Sequence, residues 1–293
     1  MLQLGEASGT VPVPVEGGPA LALSWHALTD VGHRRSLNED SLLAVAPVFA
    51  VADGMGGHDS GDVASAAVVR RLGELASDGL TSIDEIGRAL ARATLDIHEG
   101  EIAGGRGSGT TVTGAALVAE EGTPYLAIVN LGDSRVYAAE GSDFARVTVD
   151  HSVVQAMVDA GMITEAEAEH HPDSNVITRA IGAADSTADS WLLPVINGER
   201  MLICSDGLTG EVADEGIRMT LTMSGRPESA AQALVERAKA NGGRDNITVV
   251  IVDVLGGGAD LPSDETTNSL LRSTSLDGHD TELVDDTIPV RVR

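Results

Sequence analysis

The chain has a single cysteine, Cys204, and only six aromatic residues: two Trp, two Tyr and two Phe. One thiol cannot form an intrachain disulfide, so nothing points to an oxidising compartment. With so few rings, the core falls to Val, Leu, Ile and Ala, and a 42% apolar composition over 293 residues supports a substantial one. Basic residues are scarce as well: 19 Lys and Arg face 45 Asp and Glu, a formal net charge of −26. Residues 257–293 hold eight acids and three Arg, and about −21 remains without them, so the acidity is not confined to one end. Binding to a phosphate backbone or an anionic membrane surface needs dense Lys and Arg, so nucleic acid and membrane are both excluded as partners. No apolar run approaches the ~20 residues that span a bilayer. No basic segment followed by an apolar one opens the chain, so no signal peptide is expected. The expectation is a soluble cytoplasmic protein.

What is present is a repeated pattern. The apolar stretches Val48 to Ala52, Ala127 to Leu131 and Met201 to Cys204 each run on to an acid, namely Asp53, Asp133 and Asp206. Asp245 stands just before a fourth stretch, Ile247 to Val252. Such stretches are buried strands, and an acid at the end of one lies at the rim of the core. Neighbouring rims would gather four carboxylates, which repel unless a cation lies between them. Carboxylates, a backbone carbonyl and water suit Mg²⁺ or Mn²⁺, whereas zinc recruits His or Cys. Gly54, having no side chain, lets its carbonyl approach an ion. A single Asp-Gly is more simply a turn, but four acids at four strand ends are not. Upstream, the Arg34-Arg35 pair beside Glu39-Asp40 reads either as a local salt-bridge cluster or as an anion hook.

Strands are expected over about 21–28, 41–52, 111–119, 124–131, 134–139, 201–205 and 247–254, with Gly132-Asp133-Ser134 forming a hairpin between two of them. A helix is expected over 59–77. Ser82 with Glu85 forms a capping box for a second helix, reaching about His98. Pro227 and Asn241-Gly242 punctuate a third. Paired strands with helices in blocks favour an α+β fold with mostly antiparallel sheets. Residues 1–20 read as a flexible leader, 21–256 as one catalytic domain with a flap at about 151–190, and 257–293 as an acidic disordered tail.

Six segments together resemble the metal-dependent Ser/Thr protein phosphatases (the PPM or type-2C family) in their bacterial form. They are Arg35 to Asp40, Val51 to His58, Gly107 to Thr111, Asn130 to Arg135, Cys204 to Leu208 and Gly243 to Thr248. They stand in the family's order and span residues 35–248, nearly the whole core. The resemblance implies a four-layer αββα sandwich of two antiparallel sheets flanked by helices. It implies that Asp53 bridges two catalytic Mn²⁺ or Mg²⁺ ions and that the Gly54 carbonyl holds one of them. Asp206 and Asp245 then hold the other, and Glu39 acts through water. Asp133, with Asp206, takes a third, weaker ion, and Arg35 binds phosphate. The implied reaction is direct hydrolysis of phosphoserine and phosphothreonine on proteins, opposing bacterial Ser/Thr kinases. The general acid stays open, because Met55 follows the Asp-Gly and His58 stands four residues after Gly54.

Other chemistries are excluded. A cysteine phosphatase needs Arg six positions after its thiolate, where Cys204 has Gly210. No Gly-x-x-x-x-Gly-Lys loop and no Gly-x-Ser-x-Gly elbow exists. The alternative from another class is a phosphatase-fold regulator or binding module without catalysis. In the tail, Thr266, Thr267 and Thr287 lie beside acids, as in kinase sites or docking peptides for phosphothreonine readers; a solvating tail is the simpler reading.

Overall fold

The structure is a computed structural model that describes residues 1–56, 60–77, 79–102, 108–141, 143–168, 170–260 and 290–292. One sheet has the order β1 (Gln3–Gly5), β4 (Ser41–Val45), β5 (Val48–Ala52), β8 (Val112–Glu120), β9 (Thr123–Leu131), β12 (Asp189–Pro194) and β15 (Val290–Val292). The other has the order β11 (Asp143–Arg146), β10 (Arg135–Glu140), β13 (Arg200–Cys204), β14 (Ile247–Gly256), β3 (Leu21–Asp30) and β2 (Ser8–Val13). A short ribbon pairs β6 (Gly54–Met55) with β7 (Gly109–Thr110). Only the edge pairs β1–β4 and β12–β15 run parallel among the described strands.

The sheets face each other. Leu23, Trp25, Phe49, Ile128, Trp191 and Ile203 fill the space between them, with the Trp25 and Phe49 rings 5.4 Å apart. On the outer face of the first sheet, α1 (Gly61–Gly73) and α2 (Ile83–Ile102) pack Val68, Leu72 and Leu90 on Val48, Ala50 and Val129. On the outer face of the second, α6 (Asp214–Met223) and α7 (Pro227–Asn241) pack Leu221, Leu234 and Ala238 on Leu202, Val249 and Ile251. Central strands are therefore covered on both faces. In β14, Val250 and Val252 point between the sheets while Val249 and Ile251 point to the helices, which explains its unbroken apolar run. Each such side chain contributes about 1.5–3 kcal/mol on burial. This is the four-layer αββα sandwich.

The helix signals act as their chemistry requires. Glu85 Oε2 accepts the Ser82 N–H at 3.1 Å, and Ser82 Oγ accepts the Glu85 N–H at 3.3 Å, closing the capping box. Pro227 opens α7, and Gly242, at φ 155°, ends it.

Four expectations are corrected. Residues 1–20 are not a loose leader throughout, because β1 and β2 extend both sheets. Pro12 is tolerated in β2 because that strand is an edge, and Val13 is buried. The stretch 41–52 is two strands folded on each other, with Val45 opposite Val48 and Pro47 in the turn. Gly132-Asp133-Ser134 is not a hairpin: β9 lies in one sheet and β10 in the other, so the chain crosses between layers there, with Gly132 at φ 116°. Past residue 257, Ala259 bridges to Ile196, and Val290–Val292 pairs with β12. Thr266, Thr267 and Thr287 lie outside the described residues. The segment 151–190, expected as a flap, carries α3 (Val153–Asp159) and α4 (Glu165–Ala168), and its last two residues begin β12 at Asp189.

Candidate metal centre

The sheet registers place five chain ends on one rim. Ser41 faces Ala52, Val112 faces Leu131, Arg135 faces Cys204 and Ile247 faces Asp30. Asp53 therefore leaves β5, Asp133 leaves β9, Asp206 opens the short helix α5 (Asp206–Thr209) after β13, and Asp245 enters β14, all at one end of the sandwich. The loop 31–40 crosses from β3 to β4 at the same end and carries Arg35, Glu39 and Asp40.

Close backbone packing holds the rim. A Cβ on Gly54 would meet the Gly61 carbonyl oxygen at 2.2 Å, and one on Gly207 would meet the Asn246 carbonyl oxygen at 1.9 Å. Packing alone thus demands glycine at both positions. Asn246 ties the crossing loop to β14: its Oδ1 accepts the Glu39 N–H at 2.8 Å, and its Nδ2 donates to the Val31 and Leu37 carbonyls, each at 3.0 Å. Thr110 and Thr111 tie β7 to Asp53. Thr110 Oγ1 donates to the Asp53 carbonyl at 2.8 Å, and Thr111 Oγ1 accepts the Asp53 N–H at 3.1 Å. Thr111 Oγ1 also meets Ser134 Oγ at 2.9 Å, beside Asp133.

The acids act on one another. Burial, followed by Asp40, Asp206 and Asp133, pushes the Asp53 carboxyl well above the usual carboxylate range. Burial and then Asp245 raise Asp206, and burial and then Asp206 raise Asp133. Asp40 is pushed up to about 7 by burial, helped by Asp206 and Asp245, although Thr248 and Ser205 hydroxyls donate to its Oδ2 at 2.6 and 2.9 Å. Glu39 is raised by burial and by Asp62 and Asp245, while Arg35 opposes the shift. Arg35 Nη2 donates to Asp245 Oδ2 at 2.6 Å. Arg34 is exposed.

These features suit divalent ions. Oδ1 of Asp206 and Oδ1 of Asp40 are buried without a hydrogen-bond partner, a costly state that a cation relieves. The Asp53 and Asp206 carboxyls lie within hydrogen-bonding reach, so a proton shared between them can do part of the same work. Among the described residues, no three acid, His or Cys side chains are drawn into one ligand set, and Asp245 leans on Arg35. The donors are all oxygen, as hard cations prefer.

The structure thus brings Arg35, Glu39, Asp53, Gly54, Asp133, Asp206 and Asp245 to one rim. Asp40 and Asn246, to which the sequence gives no role, stand inside two of the family-like segments, Arg35 to Asp40 and Gly243 to Thr248, beside Glu39 and Asp245. His58 lies outside the described residues. Cys204 is fully buried in β13, and burial pushes its thiol up to about 12, which suits packing and not nucleophilic attack.

Known proteins share this chain's sequence and fold. Residues 32–241 match the family model described as "Protein phosphatase 2C". The Ser/Thr protein phosphatase PstP of Mycobacterium tuberculosis is 36% identical over 244 residues, covering 80% of this chain but 46% of that protein. Protein phosphatase PhpP of Streptococcus pneumoniae is 34% identical over 241 residues, covering 78% of this chain and 96% of that one. The chain therefore spans about half the length of the first relative and nearly all of the second. A crystal structure of PstP superposes with a TM-score of 0.75 at 35% identity, covering 80% of this chain and 99% of that one. A PstP catalytic domain in complex with two manganese ions gives 0.71 at 35% identity, with 80% and 100% covered. On the matched length, the shared sandwich and the acids gathered at its rim, the chain belongs to the protein phosphatase 2C family.

Proposed function

We propose that this chain is a metal-dependent protein phosphatase that hydrolyses phosphoserine and phosphothreonine and opposes Ser/Thr kinases in the cytoplasm. One observation carries the reading: Asp53, Asp206 and Asp245 come from three separate strand ends to one rim, where Asp206 keeps a buried oxygen without a partner. Asp53 and the Gly54 carbonyl, with Asp206 and Asp245, would hold two Mn²⁺ or Mg²⁺ ions, and Glu39 would act through water. Asp133 and Asp206 would hold a third. Bound divalent ions supply Lewis acidity and a water acidic enough to attack phosphorus.

The chain's own residues do the rest. Arg35 presents a charged fork to the phosphate oxygens and is oriented by Asp245. Thr110 and Thr111 fix the Asp53 backbone, and Asn246 fixes the Glu39 backbone, so two acids from different loops keep their spacing. Intact acids at every position favour catalysis over a binding module. The catalytic domain takes in β1 and β2 together with residues 21–256, with about 151–190 as its flap, and kinase sites or reader-docking peptides at Thr266, Thr267 and Thr287 belong to the same reading. The test is hydrolysis of a phosphothreonine peptide by the full chain with Mn²⁺, with Mg²⁺ and with chelator. Turnover that survives complete chelation contradicts it.

A further inference from the structure

Asp206 and Asp245 belong to segments that meet away from the acids themselves. After α5 the chain turns tightly, with the Gly210 N–H donating to the Asp206 carbonyl at 2.7 Å and the Glu211 N–H to the Leu208 carbonyl at 3.1 Å. Glu211 is thus held at a set place relative to Asp206. Its Oε1 accepts the backbone N–H of Arg244 at 2.9 Å and Arg244 Nε at 2.8 Å, and its Oε2 lies 3.3 Å from Arg244 Nη2. Arg244 Nη2 also donates to the Gly210 carbonyl at 2.9 Å, and Asn241 Nδ2 to the Glu211 carbonyl at 2.8 Å. Gly242 passes so close that a Cβ there would sit 3.0 Å from both carboxylate oxygens. One peptide bond past Arg244 is Asp245, and on the other side of the junction Gly207 abuts the Asn246 carbonyl.

The pairing is a poor investment for stability alone. The Glu211 side chain is 4% exposed while its partner Arg244 is 71% exposed, so a carboxylate has been taken out of water for a largely hydrated cation. An apolar side chain of similar volume would fill that place at no charge-burial cost. What an apolar side chain could not do is fix the direction of a loop backbone by accepting the Arg244 N–H.

We propose that Glu211, with Arg244, is a positioning residue that sets the separation and facing of Asp206 and Asp245 and so tunes divalent-ion affinity; this rests on the metal-site reading above. Burial works against the Glu211 charge, but the Arg244 guanidinium and backbone N–H outweigh it and hold the carboxyl below its ordinary range. The carboxylate is therefore ionised wherever the enzyme works. Groups that orient metal ligands in this way are commonly worth ~10–100-fold in metal affinity.

The experiment is calorimetric titration of Mn²⁺ into the metal-stripped full chain, alongside the Mn²⁺ dependence of phosphopeptide turnover. Glu211→Met, which keeps the volume and removes both acceptor oxygens, is expected to weaken Mn²⁺ binding about tenfold or more, with kcat at saturating Mn²⁺ within about twofold of wild type. Arg244→Ala should weaken it less, since the backbone N–H remains, and Arg244→Lys should recover part of that loss. Arg218→Ala, which breaks an exposed pair with Glu215, should leave binding unchanged. Should Glu211→Met fail to fold, Arg244→Ala, altered at an exposed side chain, carries the test. Unaltered Mn²⁺ affinity in the folded variants, against a wild type that binds, overturns the clamp and leaves the metal site standing. A wild type that takes up no Mn²⁺ overturns both.

Discussion

Arg35 and Asp245 are separated by 210 residues in sequence, yet the guanidinium Nη2 donates to the carboxylate Oδ2 at 2.6 Å. The residue assigned to phosphate and one assigned to a metal are therefore mechanically linked before any substrate arrives. The link raises the Arg35 pKa, with Asp245 its main cause, so the hook is charged at every working pH.

Arg35→Ala should lower kcat/KM for a phosphothreonine peptide by about 10–100-fold, mainly through KM, because an ionic hydrogen-bonded anchor is lost. Arg35→Lys should recover only part, since an ammonium lacks the flat fork that spans an acid and a phosphate. Steady-state kinetics on the two variants checks this, and full recovery by Lys contradicts it.

Asp206→Asn and Asp53→Asn should each cut turnover by at least about a thousandfold, the scale of the several kcal/mol that divalent ions contribute. Both should melt higher than wild type in chelator, because each removes one of the mutually repelling carboxylates. Thermal melts with and without Mn²⁺ give the answer, and the order should reverse when metal stabilises only the wild type.

Gly207→Ala should destabilise the chain by about 1–3 kcal/mol or more and abolish turnover. Its Cβ would fall 1.9 Å from the Asn246 carbonyl oxygen, a backbone atom with no room to yield. Circular dichroism melts check it, and a neutral substitution would mean the α5–β14 junction is looser than the structure shows.

Glu199 lies far from the rim, beside the β12–β13 turn, and is 7% exposed with Oε2 unpartnered. Burial, and then Glu140, pushes its carboxyl from 4.5 up to about 8. The folded state then keeps a proton that the unfolded chain releases. The stability this proton provides is complete below pH 4.5 and is lost as pH rises toward 8. Glu199→Gln should match wild type near pH 4.5 and exceed it near pH 8.5, by an amount on the order of a few kcal/mol. Melting temperatures across that range test it, and parallel curves for the two proteins would contradict it.

Much of this was legible in the linear chain. Unbroken apolar runs such as Val249 to Val252 mark strands covered on both faces, and the Ser82–Glu85 box and Pro227 mark helix starts, because these signals are local. Strand ends carrying Asp53, Asp133 and Asp206 gave the acids as a group, since an acid beside an apolar run has to sit at a rim. Local chemistry could not say which sheet a strand joins. Gly132 and its neighbours look like a hairpin because turn residues are the same whether the chain folds back or crosses to the facing sheet.

Sequence alone determined the central apolar strands and the all-oxygen donor set, each a property of composition or near-neighbour spacing. Tertiary structure decided the rest. Asp40 lost its water beneath the rim, Arg35 found Asp245, and Glu211 took hold of the loop bearing Asp245. Burial and long-range pairing exist only once the two sheets close, so no local pattern encodes them.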